Sequence, residues 1–142
     1  MFSVERKVGR LVEVRMEPPF PLEDVNGMIA AVRLQALAST EPFVLCATMP
    51  RLTVLTPEAT EPLLTMLRRD NPKLLRAGYL LGQRYGALAM QIDRLVREAQ
   101  NPGRRWFDRP EDLERFLGEV LTVAEREAMH RFLGSLPPAS RR

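Results

Sequence analysis

The chain has 142 residues, 45% of them hydrophobic and 27% charged, with 21 Lys and Arg set against 18 Asp and Glu for a net charge of +3. That length suits a single domain with room for a proper core, expected here over residues 1–136 with a tail at 137–142. No run approaches the ~18 apolar residues of a membrane helix, and MFSVERKVGR lacks a secretory apolar region. Cys46 stands alone, so no disulfide forms within the chain, and a cytoplasmic location is expected. The basic residues interleave with acidic ones instead of gathering on one stripe, which argues against nucleic acid as a partner.

FSVE and RLVEVRME alternate apolar and polar residues on either side of Gly9. Period-two alternation about a glycine predicts a β-hairpin with one face in the core. Pro18, Pro19 and Pro21 close it, because proline cannot donate to a ladder. In LEDVNGMIAAVRLQALAS, Val25, Met28, Ile29, Val32 and Ala36 share one helical stripe. Glu23 and Asp24 sit in its first turn, where the helix dipole favours them. PFVLCA reads as a strand buried on both faces.

Thr56-Pro57 resembles a helix cap, yet a helix starting there would carry Pro62 in its second turn and lose a hydrogen bond. A turn over 56–59 and a helix from about 60 to Asp70 is the better expectation, with Leu63, Met66 and Leu67 inward. NPK stops that helix, and LLRAGYLLG predicts another buried strand. QRYGALAMQIDRLVREAQ is the clearest amphipathic segment, with Leu88, Ile92, Leu95, Val96 and Ala99 inward and Arg84, Gln91, Arg94 and Glu98 outward. Asn101-Pro102-Gly103 ends it. RRWF reads as an edge strand. Asp108 with Glu111, and Thr122 with Glu125, are capping-box patterns opening the last two helices.

The order ββαβαβαβα plus a C-terminal helix predicts an α/β fold with a mixed, mostly parallel sheet of about five strands. Helices should cover at least one of its faces.

Recognisable chemistry is scarce. His130 is the only histidine and lies between Arg126 and Arg131, without the ligand set a metal needs. Cys46 sits in an apolar run, where it packs as a small hydrophobe. Gly78, Gly82 and Gly86 match neither the dinucleotide nor the P-loop spacing. No catalytic residue, metal or cofactor is expected. Arg104, Arg105 and Arg109 around Trp106 and Phe107 form a basic and aromatic candidate surface, since Trp and Arg are enriched at interfaces. Strand alternation puts Trp106 and Phe107 on opposite faces.

The hairpin start, PFVLCA, the helix after its loop, and RRWFDRPEDLERFL resemble the STAS-type fold of anti-sigma-factor antagonists and the related SpoIIAA-like group, over about residues 1–120. That resemblance implies a STAS-like sheet and a regulatory role exercised by binding a protein partner. In regulatory members, the loop after the third strand leads to an Asp-Ser motif phosphorylated at a helix start. The matching ATMPRLTVLTPEAT has neither that pair nor any serine, and offers Thr48, Thr53 and Thr56 instead. The expected working surface is therefore Thr48, Pro50, Arg51, Thr53 and Thr56. The expectation is a non-catalytic interaction or regulatory module. The alternative is a small-ligand or lipid-binding domain with an apolar pocket under the same loop. Leu64 and the terminal helix could each offer an apolar patch to a second copy.

Overall fold

Gly9 takes φ +58° in the tight turn that folds Phe2–Val8 (β1) back onto Leu11–Met16 (β2). The computed structural model describes residues 1–135; the expected tail at 137–142 lies outside them. After the hairpin, helices and strands alternate: Leu22–Ala38 (α1), Phe43–Met49 (β3), Thr60–Asp70 (α2), Leu74–Leu81 (β4), Ala87–Glu98 (α3), Arg104–Phe107 (β5), Pro110–Gly118 (α4) and Val123–Gly134 (α5). The five strands lie side by side in chain order, the first pair antiparallel and the others parallel. The anticipated mixed, mostly parallel sheet is the one observed.

Each crossover moves the chain one strand in the same direction. Right-handed connections then leave α1, α2 and α3 on one face, and α4 and α5 cover the other. Alternation in the strands supplies both cores. Val12, Val14, Leu45, Ala47, Met49, Ala77, Tyr79 and Leu81 pack under α1–α3. Leu11, Val44, Cys46 and Leu80 pack under Leu113, Leu117, Met129 and Leu133 of α4 and α5. β3 is buried along its whole length, the physical reason PFVLCA shows no polar alternation. Burial pushes the Cys46 thiol well above its ordinary range, so it packs and does not react.

Several local expectations need correcting. The segment 83–86 is a loop, and α3 opens only at Ala87, because Gly86 adopts φ +123° outside any helix. The Asp108–Glu111 capping box does not form. Arg109 occupies the cap, and Asp108 accepts hydrogen bonds from Arg84 Nε and Nη2 at 3.0 and 3.2 Å. Leu64 is buried in the core and offers no patch to a second copy. The helix near 60 does start there, after a short 3-10 turn at Pro57–Ala59, leaving Pro62 in a first turn that needs no donor.

The Thr122–Glu125 capping box forms in full and reaches further than a cap. Glu125, 2% exposed, accepts from the Thr122 backbone N–H at 2.9 Å and from the Arg10 backbone N–H at 2.6 Å. Its carboxylate also pairs with the Arg10 guanidinium, Nη2 donating at 2.9 Å. Burial raises the Glu125 carboxyl, but the Arg10 guanidinium, the two backbone donors and the Arg10 charge outweigh that and hold it down to about 2. α5 is thereby bolted to the hairpin turn.

Candidate functional site at the carboxyl edge of the sheet

Strands β2 to β5 point the same way, so the connections leaving them share one edge of the sheet. Open α/β sheets place ligand crevices at this edge, where the strand order reverses. Here the order never reverses, and that topological source of a crevice is missing. What the edge carries instead is a row of loops tied to one another.

The ties are specific. Arg51 pairs with Glu17 at 2.5 Å, joining the loop after β3 to the one after β2. The Pro50 carbonyl lies against Gly82, where a Cβ would collide with it. Arg84 pairs with Asp108, joining the loops after β4 and β5. Gln91 of α3 grips the backbone of Leu55 twice, its Oε1 accepting from the N–H at 2.9 Å and its Nε2 donating to the carbonyl at 3.0 Å. Gln91 was expected to face outward; it is half-buried because two main-chain groups need it.

Of the five loop residues read as the working surface, Arg51 and Thr53 are exposed and Pro50 is half-exposed. Thr48 belongs to β3 and is fully buried, its hydroxyl without a partner among the described residues. Thr56 turns its hydroxyl inward, also unpartnered, and does not cap the 3-10 turn behind it. Only Thr53 presents a threonine hydroxyl to solvent in this stretch. Leu52 and Leu55 anchor the loop in the core, while Val54 stays 53% exposed.

The basic and aromatic cluster is dispersed. Arg104 was read as a surface residue; it is 3% exposed, donating to Asn71 Oδ1, the Tyr79 hydroxyl and the Leu67 carbonyl at 3.0, 2.6 and 3.0 Å. Trp106 donates to Asp93 on α3 at 3.1 Å, Arg105 lies over Phe116 on the opposite face at 5.0 Å, and Arg109 is exposed beside α4. Trp106 and Phe107 do face opposite cores, each half-buried.

Two residues the sequence reading passed over stand out on this edge. Tyr85 is 82% exposed and Met90 75%. The Gln91–Leu55 bonds bring Val54 alongside the first turn of α3, which carries Met90 and follows Tyr85. Met90 lies off the stripe formed by Leu88, Ile92 and Leu95, and that offset was the signal available. Beneath the loop, Met49, Leu55, Met66, Tyr79 and Ile92 line a void of about 50 Å³, far below the roughly 300 Å³ at which small-molecule pockets begin.

Because the Pro50 carbonyl occupies the space a Cβ would need, Gly82→Ala is expected to push the two loops apart and destabilise by about 1–3 kcal/mol. Amide exchange should report faster opening at residues 50–56 than in α5; uniform protection across both would refute that.

Among the described residues, no group of three or more His, Cys, Asp or Glu side chains is placed to hold a metal. No described helix is long and apolar enough to cross a membrane. Comparison of the chain with protein-family models, curated proteins and solved structures returns no match.

Proposed function

We propose that this chain is a non-catalytic protein-binding module of the STAS or SpoIIAA-like kind, working through the carboxyl edge of its sheet. The observation that carries the reading is the exposure of Val54, Tyr85 and Met90 on neighbouring segments that are already tied down. Apolar and aromatic side chains carried on backbone that is already tied down leave less chain to order on contact with a partner. The cavities found at this edge, about 50 Å³ under the loop and about 190 Å³ beside Glu17, are smaller than the roughly 300 Å³ of small-molecule sites, which favours a macromolecular partner over a metabolite.

Arg51→Glu is a poor probe, because it would set a second carboxylate beside Glu17. Tyr85 and Met90 are cleaner, having no core role. A photo-reactive amino acid at Tyr85 is expected to capture one discrete protein from native extract, and the same group at Glu41, before β3 at the other edge, to capture none. Val54→Asp with Met90→Glu should remove that product without lowering the melting temperature. Capture that survives the double variant, or is equal at Glu41, would overturn the reading.

A further inference from the structure

The polar cavity between the hairpin and α5 breaks the pattern of the rest of the interior. Along β2, Leu11, Val12, Val14 and Met16 are buried apolar residues, yet Glu13 is buried too, at 4% exposure. Its register partner on β1 is Glu5, a like charge directly opposite, and Glu5 pairs with Lys7 at 3.2 Å. The Glu13 carboxylate has no hydrogen bond and no ion pair among the described residues. A buried carboxylate without a donor is costly, and a leucine there would extend the core formed by Leu11.

Space exists beside it. α5 stands off this part of the sheet, and a cavity of about 340 Å³ opens among Glu13, Arg15, Lys7, Arg131, Phe132 and Ser135. Arg15 lies two residues along the same face. Its Nη2 donates to Ser135 Oγ at 2.8 Å and its guanidinium stacks 5.1 Å from the Phe132 ring centroid. Its Nε is buried and has no acceptor among the described residues. The Glu13 carboxylate and the Arg15 side chain therefore line the same cavity, from backbone positions about 7 Å apart along the strand by the rise of two residues.

We infer that this cavity is a binding site for a small zwitterion of amino-acid size, its ammonium held by Glu13 and its carboxylate by Arg15 with Arg131. The volume falls in the range of small-molecule sites, about 300–1,000 Å³. The ammonium of such a ligand would give the Glu13 carboxylate the donor it lacks, its carboxylate would meet the Arg15 and Arg131 charges, and a ligand of one charge would engage only one side of the cavity. Burial raises the Glu13 carboxyl; Lys7 lowers it, Glu5 raises it, and Arg131 and Arg15 lower it. An incoming ammonium would draw it back to the charged form. The site is separate from the carboxyl-edge loops and does not depend on their role.

The test is a titration of the full chain, with side-chain carboxyls labelled with carbon-13, against 4-aminobutyrate and the common L-α-amino acids. Butylamine and butyrate serve as single-charge controls. At least one zwitterion is expected to give a saturable shift of the Glu13 carboxyl and a raised melting temperature. Glu13→Gln, which keeps volume and removes charge, should weaken it about tenfold or more. The wild-type titration stands alone should that variant fail to fold. A saturable response to no zwitterion, equal binding of butylamine or butyrate, or full affinity in Glu13→Gln would overturn the inference.

Discussion

Glu125→Ala is expected to cost about 3–5 kcal/mol, the range for removing one partner of a buried ion pair. The carboxylate serves Arg10 through backbone and guanidinium and closes the cap of α5. Removing it takes the acceptor from the Arg10 backbone N–H, leaves the guanidinium with the Val120 carbonyl, and frees the helix start at once. Replacing Gly9 is no remedy, since a Cβ there would strike the Glu125 carboxylate. The acid dependence follows from sign. A carboxyl lowered from 4.5 in the unfolded chain to about 2 in the fold contributes about 3 kcal/mol above pH 4.5. That contribution fades as pH falls from about 4.5 to about 2. Urea unfolding of the wild type and Glu125→Gln should therefore differ most near pH 7 and converge toward pH 2. A gap that stays constant over that window would show that the carboxylate charge is not what holds α5.

Arg104→Ala should be equally severe, about 3–5 kcal/mol, while its neighbour Arg105→Ala should change little. Arg104 is buried and its guanidinium serves three acceptors, so truncation takes the Arg104 donor from the Tyr79 hydroxyl in a core site and leaves the Leu67 carbonyl with the Asn71 backbone N–H alone of its two donors. It also leaves a void between α2 and the end of the sheet. Arg105 is exposed over Phe116, where a cation–aromatic contact is worth about 0.5–1 kcal/mol. Lysine should not rescue Arg104, because a single ammonium cannot span a fork of three acceptors. The check is the shift in denaturation midpoint at unchanged slope. A cost below about 1 kcal/mol for Arg104→Ala would mean the three bonds are dispensable.

These two residues show how unevenly the sequence speaks. Thr122 and Glu125 could be read as a capping box because both partners lie within one helical turn, a distance the chain itself sets. The Arg10 half of the same site is 115 residues away, and no local spacing announces it. Arg104 was misread for the complementary reason. An arginine is solvated by default, and only the meeting of α2, β4 and β5 supplies the acceptors that let it stay buried. Asp108 failed as a cap because Arg84, on another loop, offered its carboxylate a charged partner. The carboxyl-edge loops followed the same rule. Pro50 and Arg51 were placed correctly in a loop, whereas Tyr85 and Met90 joined them only once Gln91 had tied that loop to α3.

By itself, then, the sequence determined the element order, the turn at Gly9, the strands buried on both faces and the helix from about Thr60. Each depends on hydrophobic period, glycine or proline acting over a few residues. The tertiary structure alone decided which polar side chains are buried and paired, which, such as Glu13 and Thr48, are buried and unpaired among the described residues, and which apolar ones are left outside. Those outcomes turn on desolvation and hydrogen-bond partners contributed by segments remote in sequence, and such partners exist only after the sheet has assembled.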